Sequence, residues 1–368
     1  MADLDLPTVQ EALGRVLDPV YDRPMVAIGT LSDVRLDGGK VRAKVRLASP
    51  ADSVRAQVEA RVAKVLDALG APPFEGDFTV QVPTREVLGD DPLPNVRNVI
   101  LVMSGKGGVG KSTVAVNLTL ALKAAGSRVG LLDADIYGPS VPTMMGITGR
   151  PVSKDGKRIS PLERFGVKMM SIGFLLEDER QAVVWRGPML HGALRQFLED
   201  VDWGELDYLV LDLPPGTGDV ALTMAQRLKV TGAVIVTTPQ EVALQDVYKS
   251  VSMCRKLNLP MLGVIENMSY FIDSVGARHE LFGAGGGAKV AEFAEAPLLG
   301  KIPIEVAVRE WGDKGMPIVQ ARPDAEVARA LREAADALAA SIAQAHFDRT
   351  GGDKAPPASG PTRLKIVR

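Results

Sequence analysis

Cysteine is almost missing from this 368-residue chain: Cys254 stands alone, so no intramolecular disulfide can form. Histidine is nearly as scarce. His191, His279 and His346 lie far apart and match none of the spacings of a zinc site. No apolar run approaches the roughly 20 residues that a membrane span needs. The first residues, Met1-Ala2-Asp3-Leu4-Asp5, lack the basic and apolar regions of a signal peptide. A formal net charge of −2 leaves no electrostatic footprint for nucleic acid. Internal repeats are not found either. These absences lead to the expectation of a cytoplasmic protein that engages neither membrane nor nucleic acid.

What is present is ordinary for a soluble globular chain, with 46% hydrophobic and 24% charged residues and length enough for two domains. Residues 1–85 read as a small α/β domain. Pro7–Leu17 is a short helix with Val9, Leu13 and Val16 on one face. Val34–Leu36 and Val41–Leu47, joined by Asp37-Gly38-Gly39, read as a hairpin. Asp52 or Ser53 is expected to cap a helix carrying Val54, Val58, Val62, Val65 and Leu69, with Phe78–Val82 as a closing strand. Pro83, Gly89, Pro92 and Pro94 mark a linker, placed at residues 86–97. Residues 98–346 form the second domain. Residues 347–368, with Gly351-Gly352, Pro356-Pro357 and Ser359-Gly360-Pro361, read as a disordered tail.

The second domain is built around Ser104-Gly105-Lys106-Gly107-Gly108-Val109-Gly110-Lys111-Ser112-Thr113. An apolar run, Val99–Met103, precedes it, and a helical run, Val114–Leu122, follows. Strand, glycine loop and helix in that order are the context of a P-loop, and G-x-x-x-x-G-K-[ST] fits from Gly105 to Ser112. Glycines let backbone N–H groups wrap a phosphate, and the helix N-terminus adds positive charge at the same point. Lys111 is expected to reach the β- and γ-phosphates of ATP, and Ser112 to ligate Mg2+.

Further apolar strands follow. Arg128–Leu132 ends in Asp133-Ala134-Asp135, Tyr208–Leu211 in Asp212, Gly232–Val236 in Thr237-Thr238-Pro239, and Met261–Ile265 in Glu266-Asn267. Helical segments at 186–198, 241–257 and 325–345 separate or follow them. Near-continuous apolar strands predict a doubly wound, mostly parallel sheet, with ligands beyond the strand C-termini. Asp212 stands where a P-loop protein places its magnesium acid. Gly216, in Pro214-Pro215-Gly216-Thr217-Gly218-Asp219, offers a backbone N–H to a γ-phosphate, while Asp219 also reads as a helix cap. Asn267 has the donor and acceptor that suit an adenine edge, and equally suits a turn.

The extra lysine, Lys106, makes the loop resemble the deviant Walker A motif, K-G-G-x-G-K-[ST], of the MinD/ParA group of dimeric ATPases. Four further words carry a closer resemblance. They are Leu132–Ser140, Trp185-Arg186-Gly187-Pro188-Met189, Asp212–Asp219 and Glu266-Asn267-Met268-Ser269-Tyr270-Phe271. Together with the loop they resemble the Mrp/ApbC family of iron–sulfur cluster carrier ATPases over residues 98–345, and the N-terminal unit resembles the small iron–sulfur-assembly domain often fused ahead of it. The resemblance implies a homodimer that hydrolyses ATP, holds a [4Fe–4S] cluster at its interface and passes it to apo-proteins. It implies that Lys106 crosses the interface to the partner's nucleotide and neutralises transition-state charge, and that Asp135 positions the attacking water. Residues 105–113, together with Gly216 and Asn267, would contact the nucleotide, and Ser112 and Asp212 would hold Mg2+.

The chain also departs from that family. Members usually carry C-x-x-C shortly after the Asn-Met-Ser-Tyr word; here the run is Phe271–Glu280 without cysteine. The Ser49-Pro50-Ala51-Asp52 stretch lacks the cysteine often found in the small domain. Clusters are held mostly by thiolates. Cys254 continues a stripe of Leu244, Val247 and Val251 at helical spacing, which favours a core thiol over a ligand. A regulatory or scaffolding MinD/ParA-like ATPase without a cluster is therefore the competing expectation.

Overall fold

The computed structural model describes residues 5–136, 138–153, 156, 158–175, 187–216 and 218–351. The expected tail beyond 351, Tyr137, Trp185-Arg186 and Thr217 lie outside them, as does the side chain of Asp219. Two compact units are present. One comprises the described residues of Met1–Pro83 with Ala339–Arg368, the other Thr84–Leu338.

The small unit opens with α1 (Leu6–Leu13), where the Asp5 carboxylate accepts from the Thr8 N–H at 3.0 Å and Pro7 occupies the first turn. The helix stops at Gly14, short of the expected Leu17. β1 (Leu31–Asp37) and β2 (Lys40–Leu47) pair antiparallel, with Asp37 opposite Lys40 across Gly38 and Gly39. Both glycines are left-handed, at φ 58° and 72°, which the tight turn requires. Val41, Ala43, Val45 and Leu47 alternate into the core. α2 (Asp52–Ala68) buries Val54, Val58, Val62 and Leu66. Neither Asp52 nor Ser53 is its cap: Ala51 holds that position, with no side-chain hydrogen bond. The stripe continues in steps of four to Leu66, so Val65 and Leu69 stay half-buried. β3 (Phe74–Val80) starts four residues before the expected strand and runs parallel to β2, as a strand returning through a crossover helix must.

In the large unit β4 (Val99–Met103) leads through the glycine loop to α3 (Lys111–Ala124), then β5 (Val129–Asp133) and α4 (Val141–Met145). A two-residue ladder, β6 (Val152–Ser153) with β7 (Ile159–Ser160), precedes β8 (Leu162–Arg164) and β9 (Val167–Ser171). Next come α5 (Gly187–Glu199), β10 (Tyr208–Asp212), α6 (Gly218–Arg227), β11 (Gly232–Thr237), α7 (Glu241–Lys256) and β12 (Met261–Glu266). A small hairpin, β13 (Phe271–Ile272) with β14 (Arg278–His279), leads to α8 (Gly286–Ala294) and β15 (Leu298–Lys301). Then come α9 (Val306–Asp313), α10 (Ile318–Ala321) and α11 (Glu326–Arg349), whose residues from Ala339 onward belong to the small unit.

The large sheet has the order β15-β12-β11-β4-β10-β5-β9-β8, parallel throughout except for β8 against β9. This is the mostly parallel α/β sheet the apolar strands predict. Every residue of β4, β5, β10 and β11 is buried, as in a sheet covered on both faces. Register places the functional ends side by side: Asp212 lies opposite Val102 and Asp133, and Asp133 opposite Ser171. Residues 84–97 pack with this unit. There the buried Arg85 guanidinium bonds the Asp91 carboxylate and the Leu93 carbonyl.

Candidate functional site

The loop between β4 and α3 folds as its glycines allow. Gly108 and Gly110 have φ 82° and 78°, a left-handed backbone that side chains resist. A Cβ on Gly107 or Gly108 would meet nothing within 4 Å, so the loop encloses open space. Gly105 is different. A Cβ there would lie 2.4 Å from the Val247 nitrogen, so only glycine lets the loop seat on α7. Ser104 Oγ donates to the Lys106 carbonyl at 3.0 Å and holds the turn. Val109 is buried, and Thr113 lies in the first turn of α3, half-buried.

Lys111 is the hub. Its Nζ is 2.5 Å from Asp212 Oδ1, 3.2 Å from Ser112 Oγ and 3.6 Å from Asp135 Oδ2. Lys111 and Asp212 are 5% and 0% exposed at their side chains, so this pair sits at low dielectric. Asp133, beside Asp212, accepts from Ser171 Oγ at 2.9 Å and from the Asp135 N–H at 3.2 Å. Burial, reinforced by the Asp212 charge, pushes the Asp133 carboxyl up to about 8. Burial raises Asp212 as well, outweighing the pull of Lys111.

The sequence-predicted residues Lys111, Ser112, Asp135 and Asp212 therefore meet at one point. Asp212 Oδ2 is buried with no hydrogen-bond partner. An orphaned carboxylate oxygen next to a serine hydroxyl is an all-oxygen donor set of the kind Mg2+ takes, completed by water and phosphate oxygens. Lys106 is half-buried and makes no ion pair among the described residues. The Gly216 N–H donates to the Ser104 carbonyl at 3.0 Å, from a left-handed residue at φ 67°.

Asn267 approaches the loop from β12. Its Nδ2 donates to the Val109 carbonyl at 2.8 Å, and a Cβ on Gly110 would lie 2.3 Å from that nitrogen. A cavity of about 320 Å³ opens beside these groups, with Thr113, Asn117, Met268, Pro303, Ile304 and Glu305 among its walls. Pro303 to Glu305 carry no sequence signal, because β15 and the chain after it come to the P-loop only through the sheet order. Asp133 was legible as a strand-end acid; its bond to Ser171 was not.

The hairpin β13–β14 lies in the cysteine-free run Phe271–Glu280. Asp273 Oδ1 accepts from the Val275 and Ala277 N–H groups, and Oδ2 lies 2.7 Å from His279 Nε2. His279 and the two backbone donors hold the Asp273 carboxyl below its usual range. Cys254 is fully buried, 3.7 Å from Met103 Sδ, and burial lifts its thiol to about 11. Among the described residues, no group of three or more His, Cys, Asp or Glu side chains could hold a metal ion. No helix of the described residues is long and apolar enough to cross a membrane.

Comparison with known proteins gives this geometry its family. The family model described as NUBPL iron-transfer P-loop NTPase matches residues 95–339. The chain belongs to that family. A second model, described as iron-sulfur cluster assembly protein, matches residues 7–71, in the small unit. An iron-sulfur cluster carrier protein of Synechocystis is 44% identical over 93% of this chain and 99% of its own. The protein of that name from Escherichia coli is 48% identical over 76% of each chain. Among solved structures, the nucleotide-binding protein of Archaeoglobus fulgidus in complex with ADP is 40% identical, with a TM-score of 0.54 over 62% of this chain and 92% of that one. The cell division ATPase MinD of Pyrococcus furiosus, 23% identical, shares the fold with a TM-score of 0.50 over 66% of this chain and 98% of its own. The iron-transfer NTPase family thus agrees with the Mrp/ApbC resemblance read from the motifs.

Proposed function

We propose that this iron-transfer P-loop NTPase hydrolyses ATP to ADP and phosphate in the cytoplasm as a homodimer. The observation that carries the reading is the convergence of Lys111, Ser112, Asp135 and Asp212 under the glycine loop. Lys111 and the N–H groups of residues 105–110 bind phosphate, and α3 adds the positive end of its dipole. Lys111 Nζ, now on Asp212, would turn to phosphate oxygens. Ser112 and Asp212 would hold magnesium, which would supply neutralisation of phosphate charge. Asp135 orients the attacking water, since phosphoryl transfer calls for positioning and charge rather than covalent help. Gly216 gives up its bond to Ser104 to meet the terminal phosphate. Asn267 reads the adenine edge with the amide groups not committed to Val109.

Lys106 acts across the dimer. Its place in the K-G-G-x-G-K-[ST] loop, Lys106-Gly107-Gly108-Val109-Gly110-Lys111-Ser112, supports that reading. Lys106→Ala is expected to bind ATP with Mg2+ near-normally and to lose most phosphate release, because a group that acts only in the reacting state leaves binding alone. Calorimetry and steady-state phosphate release on the same preparation read the two separately. Equal losses in both would make Lys106 part of the cradle.

The biological role is iron–sulfur cluster delivery to apo-proteins, with the cluster as cargo. The names of the relatives and both family models support it. A second reading, a MinD/ParA-like regulatory or scaffolding ATPase that has lost the cluster, is favoured by one observation: the sole cysteine is buried in the core and the hairpin is closed by Asp273 and His279. Iron content per dimer separates the two.

A further inference from the structure

Glu266 is a deeply buried carboxyl near the P-loop that the reaction scheme leaves unused, at 1% exposure. Its Oε1 accepts from Ser269 Oγ at 2.5 Å, and its Oε2 accepts from the Gly287 N–H at 2.5 Å. Both donors are neutral. The second is an N–H in the first turn of α8, one of the four that a helix cannot satisfy itself, so Glu266 caps that helix from a different element. The seat is tight. A Cβ on Gly287 would lie 2.6 Å from Glu266 Cβ, and one on Gly286 would lie 2.5 Å from the Pro239 carbonyl. Only glycines at both positions let α8 start against this carboxyl.

The other contact fixes the turn that carries Asn267. Met268, next in the chain, is left-handed at φ 54°, a conformation disfavoured for a long side chain. The Ser269 bond to Glu266 spans that residue and holds it. The backbone on either side is pinned as well: Asn267 N–H donates to the Thr237 carbonyl, Ser269 N–H to Ile302, and Ile302 N–H to the Glu266 carbonyl. Beyond Ser269 the chain forms the β13–β14 hairpin and returns through a glycine-rich segment to Gly287. Glu266 thus grips both ends of the segment from 268 to 287, at a point one residue from the side chain bonded to the P-loop.

We propose that Glu266 is a positioning residue: it sets Asn267 against the Val109 carbonyl, and it ties the order of the 268–287 segment to occupation of the nucleotide site. This rests on the reading of the loop and Asn267 as a nucleotide site. An ADP molecule that meets Asn267 fixes a turn whose far anchor is the same carboxyl. Segment 268–287 is therefore ordered by nucleotide through Glu266.

The test uses the full chain with ADP and Mg2+, in the wild type, Glu266→Gln and Ser269→Ala. Calorimetry reads affinity, and amide hydrogen exchange across 268–287 is measured with and without ADP. In the wild type, ADP is expected to slow exchange in this segment severalfold. Glu266→Gln loses one acceptor of two and is expected to weaken ADP about tenfold. It should also abolish the ADP-dependent protection of 268–287 while that of the P-loop peptide survives. Ser269→Ala, the milder change, should show the same pattern at roughly half the effect in log affinity, and decides the matter alone if Glu266→Gln does not fold. A variant that melts at lower temperature but keeps wild-type affinity and ADP-dependent protection would overturn the proposal and leave Glu266 a structural cap. A wild-type chain that binds no ADP would sink the nucleotide reading itself, which is a distinguishable failure.

Discussion

Lys111 and Asp212 form a buried ion pair with an unsatisfied oxygen beside it, and this decides how the site responds to mutation. Lys111→Ala deletes the charge facing the phosphates and leaves both Asp212 oxygens without a cation. Nucleotide affinity is expected to fall below detection by calorimetry; near-normal affinity would defeat the P-loop assignment. Breaking a buried pair typically costs about 3–5 kcal/mol. Asp212 is already pushed toward its neutral form by burial, so it can take a proton and reduce that loss. The expected fall in unfolding free energy in urea is therefore below that range. Gly110→Ala tests the loop from its other side. Its Cβ would lie 2.3 Å from Asn267 Nδ2, at φ 78°. The left-handed backbone costs alanine about 1–2 kcal/mol, and displacing Asn267 breaks its bond to Val109. ADP affinity should fall at least about tenfold, alongside a lower melting temperature; wild-type affinity would show that Asn267 need not contact the loop. At this scale the motif residues from Gly105 to Ser112 were legible, because each acts through its own backbone or side chain within one turn. Glu266, Ser269 and Gly287 were not, since nothing in their types announces that 21 residues of chain separate one carboxyl from the N–H it caps.

Among the elements, α11 offers a test independent of nucleotide. His346, in its last turns, is held down to about 4, first by burial and then by the Arg349 charge. Its folded value lies below the unfolded one of about 6.5, so the unfolded chain binds more protons between those values. Stability from this group is complete above pH 6.5 and is lost as pH falls toward 4. The melting temperature of the wild type should drop between pH 7 and pH 5, and His346→Gln should flatten that part of the curve. An unchanged slope in the variant would show that other groups set it. The strands show where element reading works and where it stops. β4, β5, β10, β11 and β12 were found within a residue or so, because a doubly buried strand is an apolar run that ends where polar ligand groups begin. β9, β8 and β15 were missed. Val167-Lys168-Met169-Met170-Ser171 lacks a continuous apolar run, and Leu298–Lys301 is only four residues long. β3 was placed late because Phe74 and Phe78 both face one side, with Gly76 between their rings, and only half that pattern was read as strand.

For the whole molecule the open matter is cargo. A homodimer of this chain brings two thiols, one Cys254 from each protomer, whereas a [4Fe–4S] cluster normally takes four thiolates. Cys254 is fully buried against Met103, with its thiol lifted to about 11, so it stays protonated at neutral pH and is shielded from iron. Anaerobic reconstitution is expected to give weak or labile iron, well short of one cluster per dimer. Cys254→Ala should change neither the iron content nor the rate of phosphate release. Near-stoichiometric [4Fe–4S] by Mössbauer spectroscopy, lost in Cys254→Ala, would make Cys254 a ligand after all. By itself, the sequence determined the phosphate loop, the acids at the strand ends, the α/β class and the single cysteine, because these are written in contiguous residues or in composition. Only the tertiary structure decided which acid Lys111 meets, 101 residues away, and that Asn267 bonds a carbonyl 158 residues before it. Those pairings follow from the order and register of parallel strands. Each strand is buried on both faces and looks alike from its own sequence, so only packing against its neighbours selects its place in the sheet.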